Sequence, residues 1–270
     1  MGFIKKLLNF KKKSTPSIGL ALGGGAVWGI SHIGILKALE ENNIPINYIS
    51  GTSIGSLVGG LYALGTSTNK LSSLATSTHW NHLCRISLPL GGLLTNEPME
   101  KFLYNLIGNK TFSDVKIPFS AITTDLITGD EIVIESGKIS TAIRASTAIP
   151  GIFHPVLFNN RTLVDGGVVN NVPVSVLRKM GATIIIAINL SPDFNHWHPK
   201  NSFEVILKSF LIMQNKVARS ELKKADIVID MNMKDFSPMD FKKANDLLDK
   251  GYKEGISKIE EIQHVLKGKR

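Results

Sequence analysis

The chain has 270 residues, 43% apolar and 20% charged, enough to bury a core in one large domain or two small ones and too apolar for global disorder. No apolar run approaches the roughly 18 residues of a membrane span, and a single cysteine, Cys84, excludes an internal disulfide framework. The net charge of +9 sits at the ends, with five Lys and no acid in residues 1–13, 11 basic against 11 acidic side chains in 14–199, and 15 against 11 in 200–270; the neutral middle offers no basic groove for nucleic acid.

In the leader, Phe3, Ile4, Leu7 and Leu8 recur at helical spacing while Lys5, Lys6, Lys12 and Lys13 fall largely off that stripe. Such a segment is suited to lie on an anionic membrane surface. It lacks the long apolar centre and small-residue cleavage site of a secretory signal, and Lys6 breaks the myristoylation pattern after Gly2.

Ser17 to Leu22 is an apolar run that ends in Gly23-Gly24-Gly25, and Ile30 to Asn42 follows with apolar residues at three-residue steps. The pair predicts a strand feeding a helix. Ile46 to Ser50 repeats the pattern, broken at Gly51 and followed by helical Ile54 to Leu64. Phe119 to Thr124 and Glu131 to Ile134 read as two strands joined by Thr128-Gly129-Asp130. A helix is predicted over Lys138 to Ala148, stopped by Pro150, then a strand over Thr162 to Val164 that ends at Asp165-Gly166-Gly167. Pro173 to Met180 is helical, Thr183 to Leu190 is a buried strand, and Ser191 to Asn201 is linker-like. Ala225 to Asp230 is a further strand between long helical stretches over 201–224 and 240–266. This alternation predicts an α/β fold in three layers, a mostly parallel central sheet with helices on both faces.

Three signals carry chemistry. In Gly51-Thr52-Ser53-Ile54-Gly55, a serine between strand and helix is flanked by the small residues that a tight turn needs for its Oγ to project. At that helix start, the Ile54 amide favours developing negative charge. The run Gly23-Gly24-Gly25-Ala26 brings backbone amides close to a ligand and suits a phosphate or a tetrahedral oxyanion. A dinucleotide site fits poorly, since the G-x-G-x-x-G spacing from Gly23 places Trp28 where glycine is needed. Asp165-Gly166-Gly167 holds a carboxylate at a strand end, and by itself would be a turn.

Together and in this order, the glycine loop, the G-x-S-x-G serine and the Asp-Gly-Gly aspartate resemble the patatin-like phospholipase family over roughly residues 17–190. The Ser31-His-Ile-Gly-Ile-Leu36 helix start and the stretch Ala145 to Val156 also look like family segments. The resemblance implies a serine acyl hydrolase with a catalytic Ser53–Asp165 dyad, an oxyanion hole from Gly23, Gly24, Gly25, Ala26 and Ile54, and Gly51, Gly55, Gly166 and Gly167 as supporting motif positions. It implies a phospholipid or lysophospholipid substrate, no cofactor and no metal. The organisation expected is a basic leader over 1–16, a catalytic domain over 17–190 and a C-terminal α/β extension over 191–270 packed on the same domain. A cytoplasmic location, peripheral on the inner membrane face, goes with it. Bacterial members commonly carry Arg or Lys where this chain has Trp28, which implies an altered rate or substrate preference and keeps open a catalytically weak or inactive lipid-binding module on the same fold.

Most serine esterases with this turn add a histidine after the acid. His196 and His198 follow Asp165 but read as surface residues flanking Trp197, and His32 as packed or capping. His154 sits in a turn that would line the pocket without doing chemistry, and Arg144 would pair with an acid. His79, His82 and Cys84 lack a fourth partner for a metal. The helical stripe Phe203, Ile206, Leu207, Phe210, Leu211 and Met213 predicts a core face.

Overall fold

A computed structural model describes residues 16–79, 83–87 and 92–268. Its strands are β1 (Ile18–Leu22), β2 (Tyr48–Thr52), β3 (Arg85–Ile86), β4 (Gly92–Thr95), β5 (Phe119–Asp125), β6 (Glu131–Ile134), β7 (Gly151–Phe153), β8 (Val156–Phe158), β9 (Arg161–Asp165), β10 (Ile184–Ser191) and β11 (Ile227–Asn232). Its helices are α1 (Ser31–Glu41), α2 (Ile54–Ala63), α3 (Thr68–Ser77), α4 (Glu97–Ile107), α5 (Ile139–Ser146), α6 (Val174–Met180), α7 (Ser202–Leu222) and α8 (Ala244–Gly268). Residues 1–15 of the leader lie outside the described residues.

The central sheet runs β11-β10-β1-β2-β5-β9-β8, with β6 hairpinned onto β5. From β11 to β5 every pairing is parallel; β9 and β8 then run antiparallel, as β6 does. Strands buried on both faces must be apolar throughout, and β1 and the first seven residues of β10 are buried. Leu20, Leu22, Ile186 and Ile188 face a core shared with α1, α2, α5 and α8, whereas Ala21, Ile185 and Ala187 face α6 and the end of α7. The result is the three-layer α/β architecture.

β11 extends the sheet beyond β10, so residues after 191 complete the same sheet. Helix α8 returns across α1 at backbone contact: a Cβ on Gly34 would meet Leu248 O at 2.1 Å, and one on Gly251 would meet Ser31 O at 1.9 Å. Only glycine permits that approach.

Between α2 and β5 the periodicity suggested no elements, yet α3, α4, β3 and β4 occupy this part of the chain, with β4 also pairing with the later β7 in a small sheet of order β3-β4-β7. On α7, Leu207, Phe210 and Leu211 are buried and Phe203 and Ile206 partly so, but Met213 is 52% exposed. The predicted core stripe is corrected there: the buried face passes through Gln214, Ala218 and Glu221 instead. Among the described residues no helix is long and apolar enough to cross a membrane.

Candidate active site

The register of the sheet brings the distant motifs together. Gly23 follows β1 and Ser53 follows β2, whose last residue Thr52 pairs with Ile122 of β5. One rung further along β5, Thr123 pairs with Asp165. The serine and the aspartate thus lie at neighbouring rungs of β5 although 112 positions separate them in the chain.

Ser53 has φ 54° and ψ −126°, a strained backbone for a residue with a side chain. Its surroundings over-determine this turn. A Cβ on Gly51 would lie 2.4 Å from Gly55 O, and one on Gly55 would lie 2.1 Å from Leu22 O, so both flanking glycines are dictated by backbone crowding. The Ser53 N–H donates to Ser146 Oγ at 2.9 Å, and Ser146 Oγ–H donates to Ile122 O at 2.6 Å. Ser146 therefore links the serine turn to β5, a role that no motif singled out.

Asp165 is fully buried and Ser53 is 5% exposed. Asp165 Oδ1 accepts from Gly167 N–H at 2.8 Å, while Oδ2 has no hydrogen-bond partner of normal geometry among the described residues. Burial raises the pKa of this carboxyl from 3.8 to about 7; the Ser53 side chain and the Gly167 N–H, both of which interact with the charged form, pull against that rise. A carboxylate of that basicity is matched to a proton transfer near neutrality, unlike an ordinary aspartate.

Of the five amides expected to hold an oxyanion, two already serve other acceptors. Gly23 N–H continues the ladder to Ile188 O (3.1 Å), and Gly24 N–H is shared between Asn171 O (3.3 Å) and Asn171 Oδ1 (3.1 Å). Those of Gly25, Ala26 and Ile54 have no protein acceptor among the described residues. Ala26 is left-handed, at φ 51°, which turns the loop sharply after the glycines. A Cβ on Gly24 would come within 3.1 Å of Ser53 Cβ, so the loop lies against the serine.

His32 is fully buried and its Nε2 donates to Gly23 O at 2.8 Å. Burial lowers its pKa from 6.5 to about 4, so the ring is neutral at pH 7 and positions the glycine loop. Trp28 is also buried, and its indole N–H donates to Phe236 O at 2.9 Å.

His198 is exposed, and the side chain of His196 lies outside the described features, as does His82. His154 is half-buried beside Ser87 O. Arg144 pairs with Glu100 at 2.8 Å and with Glu97 at 3.8 Å. The Ser191–Asn201 stretch is tied to α7 by Lys208, whose ammonium donates to Phe194 O and Trp197 O.

Sequence reasoning assigned no role to Ser146, Asn171 or Gln214. The last is a polar residue on a buried helix face, 2% exposed, three and four positions after Leu211 and Phe210. That misfit was its legible signal. Next to Ser53, the start of α2 borders an apolar pocket lined by Ile54, Leu57, Val58, Leu61, Leu71 and Phe102. The arrangement sets a hydroxyl, a buried carboxyl of raised pKa and backbone amides without a protein acceptor among the described residues beside an apolar pocket.

A family model for patatin-like phospholipase matches residues 20–178. Lysophospholipase NTE1 of Meyerozyma guilliermondii is 34% identical over 183 residues, covering 66% of this chain and 13% of that protein. An uncharacterized NTE family protein of Mycobacterium bovis is 33% identical over 187 residues, covering 68% of this chain and 52% of its own length. Among solved structures, VipD from Legionella pneumophila superimposes with a TM-score of 0.55 at 14% identity, over 92% of this chain and 66% of that one. The type III effector ExoU gives 0.53 at 12% identity, over 92% and 53%. At such identities the structural likeness is one of fold. The chain spans 13% of the first curated relative and 52% of the mycobacterial one.

Proposed function

The chain belongs to the patatin-like phospholipase family, and from that membership we propose that it is a serine acyl hydrolase that cleaves fatty-acyl esters of phospholipids or lysophospholipids. The reading is carried by one observation: a fully buried carboxyl with a pKa of about 7 beside a serine held in a strained strand-to-helix turn. Structural ion pairs lower a carboxyl pKa; this one is raised, as a general base requires.

In the proposed reaction, Ser53 Oγ bonds to the ester carbon as Asp165 takes its proton and the carbonyl π pair moves onto oxygen. The amides of Gly25, Ala26 and Ile54 donate to that oxyanion. When the carbon–oxygen bond to the alcohol breaks, the leaving lyso-lipid or glycerol oxygen takes the proton from Asp165, and an acyl-Ser53 ester remains. Water then adds to the acyl carbon with Asp165 as base, the Ser53 oxygen leaves with that proton, and the free fatty acid is released. The acyl chain would lie in the apolar pocket beside Ile54. One amide donor in such a hole is typically worth about 3 kcal/mol of transition-state stabilisation, so the loop is as important here as the base.

The lysophospholipase name of the yeast relative supports a lipid substrate for this chain. Access from a membrane surface is part of the reading, with the Lys-rich leader as its anionic-lipid contact. The test is hydrolysis of lysophosphatidylcholine and diacyl phospholipid by the purified chain, together with labelling by a fluorophosphonate. Ser53→Ala should abolish both. Hydrolysis that survives Ser53→Ala rejects the nucleophile, and absence of labelling in the wild-type chain favours a non-catalytic lipid-binding module.

A further inference from the structure

Among the described residues, one buried donor is employed neither by the core nor by the reaction just described. Gln214, near the middle of α7, is 2% exposed, and its Nε2 has no hydrogen-bond partner among the described residues. An orphaned buried donor of this kind is destabilising, and a methionine of the same shape would fill the space without that cost.

The backbone around it is shaped to receive the carboxamide. A Cβ on Gly167, two residues after the aspartate, would stand 1.9 Å from Gln214 Nε2. A Cβ on Gly24 would stand 3.0 Å from the same nitrogen and 3.1 Å from Ser53 Cβ. The amide group therefore ends between the glycine loop and the Asp-Gly-Gly turn, one side chain's width from the serine. The nearby Asn171 Oδ1 is engaged by Gly24 N–H and makes no bond to Gln214.

We propose that the Gln214 carboxamide is a catalytic donor of the oxyanion hole, completed only when the reacting carbonyl of an acyl ester enters the site. It rests on the reading of Ser53 as the nucleophile. As Ser53 Oγ bonds to the ester carbon, the proton passes to Asp165 and the carbonyl pair moves onto oxygen; Gln214 Nε2–H then donates to that oxygen beside the Gly25 and Ala26 amides. A neutral amide suits this place, because it stabilises the developing charge without an ion pair that would persist in the resting enzyme. Its helix also contributes part of the buried core, which holds the donor rigidly.

The test uses the full chain with p-nitrophenyl butanoate as substrate and a fluorophosphonate, whose phosphoryl oxygen occupies the same hole, as the acylation probe. Gln214→Met should lower kcat and the labelling rate together by about 100-fold, with KM little changed, the melting temperature equal or higher, and the midpoint of the pH profile unmoved. Gln214→Glu, of the same shape but carrying a charge that opposes the oxyanion, should lose at least as much, and it serves as the second variant if Met unsettles the helix. Three results overturn the proposal: Gln214→Met within about threefold of wild type, a loss confined to deacylation with normal labelling, or a displaced pH midpoint with the plateau restored. The last would place Gln214 on Asp165 instead. Ser53→Ala run alongside separates the two ideas, since activity that survives it rejects the nucleophile whatever Gln214 does.

Discussion

Asp165→Asn should make the protein inactive and gain stability relative to wild type as pH rises. Burial raises the Asp165 pKa from 3.8 to about 7, roughly three units at about 1.36 kcal/mol each, so the ionised carboxylate is about 4 kcal/mol less favourable in the folded chain than in the unfolded one. The folded state binds this proton more tightly. Wild-type stability from this group is therefore complete below pH 3.8, declines as pH rises because the unfolded chain ionises first, and stops declining above about pH 7. Asparagine does not titrate, and whatever fixed penalty its amide suffers beside Gly167 is the same at every pH. The informative quantity is consequently the change in the mutant-minus-wild-type difference, which should grow by about 3 kcal/mol in favour of Asp165→Asn between pH 5 and pH 8. Urea denaturation followed by circular dichroism at both pH values measures it; with an m-value of about 3 kcal/mol/M, the gap in midpoints should widen by about 1 M. A gap that stays constant, or that moves against the mutant as pH rises, would show that the carboxyl is not buried in this way, and the argument for a tuned base would fail with it.

On the proposed mechanism the same carboxyl should also set the pH dependence of the rate. With an uncharged ester, kcat/KM should rise about tenfold per pH unit below neutrality and level off above about pH 7; a midpoint near 4 would contradict it. Ser53 sits at φ 54° and ψ −126°, so Ser53→Gly should be about 1–2 kcal/mol more stable than Ser53→Ala while both are inactive, a difference read by chemical denaturation. His32→Ala removes the donor to Gly23 O and should cost about 1–3 kcal/mol of stability as well as kcat, whereas KM for a short ester should change little. Gly24→Ala would press a methyl group to 2.6 Å from Asn171 Oδ1 and 3.1 Å from Ser53 Cβ, and its fluorophosphonate labelling should fall by about 100-fold with only a modest change in melting temperature.

Local rules were sufficient for the elements that have a strong period or a sharp stop. β1, β2 and β10 were legible as apolar runs, the β5–β6 hairpin from its Thr128-Gly129-Asp130 turn, and α5 from the arrest at Pro150. Between α2 and β5, β3 and β4 were not legible, because they are only two and four residues long and too short to express a period. Nor could spacing reveal that Gly23 and Gly24 spend their amides on Ile188 and Asn171, since those acceptors arrive from almost 150 residues or more away in the chain.

The amino-acid order determined which groups are available for chemistry: a serine that only glycine neighbours allow to project, a glycine loop, and an aspartate that ends a strand. Residue type and local backbone sterics act over a few positions, so these were visible without coordinates. Only the tertiary structure decided what those groups become. The raised pKa of Asp165 comes from its complete burial, the neutrality of His32 from the same cause, and the place of Gln214 from the packing of α7 against two glycine turns. Desolvation and contact depend on what surrounds a group in space, and for these three side chains most of those surroundings come from remote parts of the chain.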